Sequence, residues 1–442
     1  MAIAMSKPAA TPPAKSPKGR RGWRPGANLK WSIAMLVVAV AAFVFYYQLP
    51  NLTDSINSTV DNWAPISAIN ECLVYAIMAL GLNIVVGYAG LLDLGYVAFW
   101  AIGTYVGAWL MSSFWSQIKG GLHVGSVKTV ATIPGIHFNF WLVLLIGALV
   151  CAGFGILIGA PTLRLRGDYL ALVTLAFGEI IPAFFRNGDH IFGQNITNGT
   201  RAINPVDPIN PEPLNHVGFP DLLGLSASAL PFLYLILCAL VAFCVFVSLR
   251  IRGGRLGRSW LAIREDELAA NMMGVSLVKA KLSAYAVGAA FGGLGGVAYS
   301  ETVGGAFPDS FQYANSIFVL IMVVIGGMGN VWGVLIGAVV LDWINNTGLN
   351  QLGTVYNSTF NANIEISNYN FLVFGVILVL MMLFRREGLL PERRTRQIMR
   401  EPSRTEMESL GADVDSAQAL EGGASAEAAA HTTDVATGEK QQ

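Results

Sequence analysis

Hydrophobic and polar positions along the 442-residue chain segregate into long apolar runs separated by short polar or glycine-rich breaks. A run of about twenty apolar residues is long enough to cross a hydrocarbon core of roughly 30 Å as a helix. Such runs are expected at about 31–49, 66–86, 91–112, 139–159, 168–185, 229–249 and 282–303, then at 311–328, 331–348 and 369–385. The pattern predicts an all-α, polytopic helical membrane protein with about ten membrane-crossing segments, the shorter ones open to a re-entrant course. It divides the chain into a basic N-terminal tail (1–30), a transmembrane domain (31–396) and a disordered tail (397–442). The last is rich in Ala, Glu, Gly, Ser and Thr, and has too few large hydrophobes to build a core.

Charge then orients the spans, because cytoplasmic loops carry the Lys/Arg excess. Residues 1–30 hold seven Lys/Arg and no acid, and residues 250–281 hold seven more, including Arg250, Arg264, Lys279 and Lys281. Both stretches belong inside, as does the cluster Arg385, Arg386, Arg393, Arg394 and Arg396. Residues 345–368 have no Lys/Arg and read as an external loop. These sides agree only if IGGMGN at 325–330 is a cytoplasmic turn, which puts both termini inside.

Composition narrows the chemistry. Only 13% of residues are charged and 54% are hydrophobic, against about 25% charged in soluble domains. A net charge of zero gives nucleic-acid binding no electrostatic support. Cys72, Cys151, Cys238 and Cys244 all fall in apolar runs and read as small buried hydrophobes. There is no HExxH and no GxxxxGK[ST], so no metal centre is indicated and the chain is not expected to hydrolyse nucleotide itself.

Glycine is enriched, at 48 residues. Gly288, Gly292 and Gly296 recur every four residues in the seventh run and form a small-residue ridge for close helix packing. That ridge fits a static bundle or one whose helices slide. Glu71, Asn83, Asp93, Asp168, Glu179 and Asp342 lie in or beside apolar runs, where carboxylates usually face a protein interior or a water path. Glu71, Asp168 and Asp342 are placed near the interfaces. Glu179 sits in a run interrupted by Gly178 and Pro182, and broken helices expose backbone groups to a solute. The stretches 83–99 and 174–180 are therefore candidates for a solute path, or for scaffold. Their residues are Asn83, Gly87, Gly90, Asp93, Gly95, Tyr96, Thr174, Gly178 and Glu179.

Between the sixth and seventh runs, SWLAIREDELAANMMG (259–274) predicts a short helix with Ser259 as N-cap, acids in its early part and Gly274 as its stop. A helix–glycine–helix unit at the inner surface presents a knob to a soluble partner, or rests on lipid headgroups.

Several stretches carry a family resemblance: GLNIVVGYAGLLDLGYVAFWAIGTYVGAW at 81–109, LRLRGDYLALVTLAFGEI at 163–180, the 256–300 segment, IFVLIMVVIGGMGNVWGVLIGA at 317–338, and FRREGLLPER. Together they resemble the longer of the two permease types in ABC importers for branched-chain amino acids. The resemblance implies a bacterial inner-membrane subunit that binds no cofactor itself. It implies a second permease subunit, two cytoplasmic ATPases that use the ATP, and an extracytoplasmic amino-acid-binding protein. It also implies an ATPase-docking loop of pattern EAAxxxG. Ala269, Ala270 and Gly274 match, Leu268 takes the glutamate place, and Glu267 stands one residue earlier. Arg264, Glu265, Asp266 and Glu267 complete the expected coupling loop. Many relatives have GQLSLGH where residues 90–96 read GLLDLGY, so Asp93 and Tyr96 depart from the pattern. The substrates the resemblance allows are Leu, Ile and Val, with other amino acids, urea or short amides in related permeases. A stand-alone secondary transporter or channel is the competing class.

Overall fold

The structure is a computed structural model, describing residues 26–48, 54–116, 122–124, 134–162, 168–190, 193–207, 209, 230–360, 366–385 and 388–390. The expected tail at 397–442, most of the N-terminal tail, and Arg164, Arg166, Arg386, Arg393, Arg394 and Arg396 lie outside these residues. The helices are α1 (Gly26–Gln48), α2 (Asp54–Trp63), α3 (Ile66–Leu82), α4 (Val97–Leu110), α5 (Phe140–Thr162), α6 (Asp168–Arg186) and α7 (Leu230–Gly253). They continue as α8 (Arg255–Glu265), α9 (Glu267–Met272), α10 (Leu277–Val303), α11 (Tyr313–Gly326), α12 (Val331–Trp343), α13 (Leu349–Phe360) and α14 (Asn370–Phe384). Among the described residues, five helical stretches are long and apolar enough to cross a membrane: Ser58–Tyr88, Phe140–Pro161, Tyr169–Arg186, Phe232–Gly253 and Leu277–Val303. The fold is all-α apart from three short strands, β1 (Met111–Ser112), β2 (Leu122–Val124) and β3 (Ile136–Phe138), in the order β1-β3-β2.

α10 is the axis, with α3, α4 and α5 packed around it. Its small residues permit this. A Cβ added at Gly296 would lie 2.5 Å from the Trp100 carbonyl oxygen, and one at Gly293 would lie 2.6 Å from that of Gly147. Gly292 faces Phe99 and Tyr96, while Gly288 faces Val85 and the Gly81 carbonyl. The ridge read from the sequence therefore meets α3 and α4, while Gly293 and Ala289 meet α5.

Several expected boundaries change. The third span is helical only over Val97–Leu110, because α3 continues as a π-turn through Tyr88 and residues 89–96 are not helical. Non-helical backbone at membrane depth must find partners in protein, and here it does. Leu94 N donates to Thr174 Oγ1 at 3.1 Å, Gly95 N to Asp93 Oδ1 at 2.9 Å, and Val97 N to Ser316 Oγ at 2.8 Å. α6 is continuous, so Gly178 and Pro182 do not break it. Proline removes a single donor, the one that would have reached the Gly178 carbonyl four residues back, and the helix continues through that one lost bond.

Ser259 does not cap a helix. It lies inside α8, its hydroxyl donating to the Leu256 carbonyl at 2.7 Å. The expected 259–274 helix is instead split at Asp266, whose extended backbone ends α8 and whose side chain caps α9. The seventh span begins at Leu277 rather than 282. The region expected as the loop 345–368 carries α13, reached from α12 through a π-turn at Ile344–Gly348.

Candidate functional site

Three places hold the residues singled out from the sequence. The first is the knob formed by α8 and α9. Trp260 is fully buried, and its indole Nε1 donates to the Ala280 carbonyl at 2.9 Å and to Ser283 Oγ at 3.0 Å, fixing α8 on α10. Ile263 is buried beside it. Arg264 donates to the Gly87 carbonyl and packs on Gly90, where an added Cβ would lie 2.8 Å from Arg264 Cγ. Burial lowers the Arg264 pKa from its ordinary value, with Glu265 opposing that effect.

Asp266 accepts from Leu268 N at 2.8 Å and Ala269 N at 3.0 Å, satisfying amides that a helix start leaves open. Gly274, at φ +85°, ends the unit in the left-handed conformation that glycine adopts without Cβ strain. Ala270 is buried, whereas Glu265, Ala269 and Gly274 are exposed. Glu267 turns back to Lys281, with 2.5 Å between carboxylate and ammonium. The outer surface is apolar, with Leu268 70%, Met272 76% and Met273 85% exposed.

The second place is a close-packed joint. Asn83 is fully buried and its Oδ1 accepts from Gly329 N at 2.8 Å, locking the π-turn to the 327–330 turn between α11 and α12. A Cβ on Gly87 would lie 2.7 Å from the same Gly329 nitrogen. Gly95 and Gly178 meet backbone to backbone: a Cβ at Gly95 would overlap the Thr174 carbonyl, and one at Gly178 would lie 3.0 Å from Gly95 Cα. The Tyr96 hydroxyl donates to the Gly288 carbonyl at 2.9 Å. Asp93 is buried, and its Oδ2 lacks a hydrogen-bond partner among the described residues. Asp93, Gly95, Tyr96, Thr174 and Gly178 thus gather where the 89–96 segment meets α6 on one side and α10 on the other, while Asn83 and Gly87 meet the 327–330 turn and Gly90 meets Arg264 of the knob.

Glu179, the remaining path candidate, is exposed and faces the third place, a cleft of ≈ 440 Å³. Pro182, Ala183 and Arg186 share its helix face at spacings of three, four and seven residues. Phe311 to Ala314, at the start of α11, form the opposite wall. Arg186 pairs with Asp309 at 2.6 Å. The apolar run expected at 168–185 stops one residue short of Arg186, which the helix includes and whose spacing of seven from Glu179 puts both on one face.

Glu71 and Asp342 share one amide. Asn346 Nδ2 donates to Glu71 Oε2 at 2.9 Å and to Asp342 Oδ2 at 3.1 Å, with Asp342 fully buried. The local sequence hides this, because Glu71 lies 275 positions from Asn346.

Comparison with known proteins adds to this geometry. Residues 65–382 match the family model described as "Branched-chain amino acid transport system / permease component". The chain is 36% identical over 332 residues to the high-affinity branched-chain amino acid transport system permease protein LivM of Escherichia coli, covering 73% of this chain and 69% of the relative. It is 34% identical over 345 residues to the LivM permease protein of Salmonella typhimurium, with the same coverage. To the probable branched-chain amino acid transport permease protein LivM of Methanocaldococcus jannaschii it is 26% identical over 338 residues, covering 72% and 91%. No solved structure matches the chain.

Proposed function

Because the chain belongs to the branched-chain amino acid transport system permease family, we propose that it is the membrane subunit of an ABC importer carrying branched-chain or related amino acids across the inner membrane. ATP is hydrolysed in two separate cytoplasmic ATPases, a second permease completes the channel, and an extracytoplasmic binding protein delivers the solute. The chain makes about ten crossings with both termini cytoplasmic. α4 and α11, at 14 residues each, are about 21 Å long and reach across only with their non-helical flanks.

The observation that carries the reading is the knob. Exposed Leu268 and Met272 stand on α9 and Met273 at its end, while Trp260 of α8 and the Glu267–Lys281 pair tie the unit to α10, the central helix of the bundle. Such an apolar patch on a rigid mount suits a protein groove better than water. The ATPase seats on residues 264–274, and its movement reaches α10 through Trp260 and Lys281. Arg264 carries the same movement to the end of α3. Within the membrane, Asn83, Gly87, Gly90, Asp93, Gly95, Tyr96, Thr174 and Gly178 hold the joints that move, and Glu179 faces the solute.

The test is co-expression with the cognate ATPases and second permease, followed by uptake in vesicles. A Gly274→Glu variant is expected in the membrane at normal level but without leucine uptake. Normal uptake by that variant would sink the docking assignment. Competition of leucine uptake by isoleucine and valine, with none by urea, is the expected substrate pattern.

A further inference from the structure

We infer that the cleft between α6 and the start of α11 is a binding site for a zwitterionic α-amino acid, with Glu179 receiving the ammonium group and Arg186 the carboxylate. This rests on the permease reading and narrows its substrate class, because urea and neutral amides can hydrogen-bond to these groups but carry no charge to pair with either one.

Glu179 and Arg186 lie seven residues apart on one face of α6, a separation of about 10.5 Å along the axis. Two long side chains approaching from the two ends leave room between them for one amino-acid headgroup. The Glu179 carboxylate has no hydrogen bond or ion pair among the described residues. Arg186 uses one terminal nitrogen on Asp309, and a guanidinium has five N–H donors, so a carboxylate can still be held. Asp309 is 72% exposed at the side chain, so its charge is solvated while it orients the guanidinium.

Part of the remaining lining is apolar and suits an aliphatic side chain, with Asn187 and Gln312 adding polar groups beside it. Pro182 and Ala183 stand on the α6 wall between the two charges, opposite Phe311 and Tyr313. The volume of ≈ 440 Å³ lies in the ordinary range for small-molecule sites, roughly 300–1,000 Å³. Phe185, next to Arg186 in α6, is buried and stacks on Tyr105 of α4 with ring centroids 3.9 Å apart, which holds the α6 end in place. An anion, a cation and an apolar wall at this spacing match the three parts of a branched-chain amino acid.

The experiment uses the assembled importer in nanodiscs without its binding protein, with L-leucine, 4-methylpentanoate (no ammonium) and 3-methylbutylamine (no carboxylate) as probes followed by saturation-transfer NMR. Wild type is expected to bind leucine more tightly than either analogue. Glu179→Gln, isosteric and on an exposed position, is expected to weaken leucine binding at least tenfold and bring it level with 4-methylpentanoate. Arg186→Gln is expected to bring leucine level with 3-methylbutylamine. Leucine binding by Glu179→Gln within twofold of wild type overturns the inference, as does no measurable leucine binding by wild type. Uptake separates the two readings. Wild-type leucine uptake with no effect of Glu179→Gln on binding or KM defeats the cleft alone. Glu179-dependent binding in an importer that takes up no amino acid defeats the transport assignment and leaves the cleft standing.

Discussion

The Lys281 ammonium lies 2.5 Å from the Glu267 carboxylate, so the acid one place ahead of Leu268 reaches back to α10 instead of outward. In the docking pattern that the sequence resembles, a glutamate stands where this chain has Leu268. Here the carboxylate is an internal brace across the Gly274 turn, and the outward position is apolar. With the Glu267 side chain 45% exposed, solvent screens the pair, and its removal should cost about 1 kcal/mol or less. Glu267→Gln is therefore expected to retain the ATPases on co-purification, with only a small fall in melting temperature. The exchanged pair Glu267→Lys with Lys281→Glu should recover that fall. Loss of ATPase binding in Glu267→Gln would return the residue to the contact surface.

The apolar face carries a stronger expectation. Burying a Leu or Met side chain contributes about 1.5–3 kcal/mol, and each 1.4 kcal/mol is roughly tenfold in affinity. Leu268→Asp with Met272→Asp should weaken ATPase association by about a hundredfold or more. Both side chains are largely exposed in the isolated chain, so its melting temperature should stay within a degree or two. Pull-down of the ATPases alongside a thermal melt checks both halves.

Where the 89–96 segment meets α6, Gly95 has no space for a methyl group, because its Cβ would overlap the Thr174 carbonyl. Gly95→Ala must push α6 away, and overpacking of this kind costs about 1–3 kcal/mol or more. Gly153 is the matched control, a helical glycine whose Cβ would meet nothing within 4 Å. Gly153→Ala should be neutral or stabilising by up to about 1 kcal/mol. Melting of the two variants in detergent should move in opposite directions, and equal shifts would refute the backbone contact.

Asn346 serves two carboxylates with one amide group. Replacing it by Leu leaves Glu71 Oε2 and Asp342 Oδ2 without that donor, at a cost of about 1–3 kcal/mol for an unsatisfied buried group. Asn346→Leu should melt several degrees lower. An Asp342→Asn change in the same background should restore part of the loss by removing one charge. An unaltered melt in Asn346→Leu would show that water or another side chain serves the pair.

What the sequence makes legible follows from how local its cause is. The helix–glycine–helix shape of the knob, the turn at 327–330 and the small-residue ridge of α10 are all written within a few residues of where they act. The extended 89–96 segment is not, because the groups that satisfy its backbone, Thr174 and Ser316, lie 80 and 219 positions away. Pro182 misled for a different reason. Proline costs a helix one hydrogen bond, which the 19-residue α6 survives while packed against the 89–96 segment, and that packing is not local in the sequence. The split at Asp266 turns on which of several polar side chains captures the free amides. Ser259 and Asp266 both have the chemistry, but Ser259 lies inside α8, which starts at Arg255, and Asp266 is the one that captures the free amides.

The main-chain contacts of α10 also determine its mechanical character. With the backbones of α3, α4 and α5 seated in notches left by missing side chains, a shift of α10 by a single residue would bring Phe291 or Leu294 to a place shaped for hydrogen. Axial slippage is thus barred, and α10 can move only together with α3, α4 and α5. α10 behaves as a keyed shaft whose two ends report each other's position.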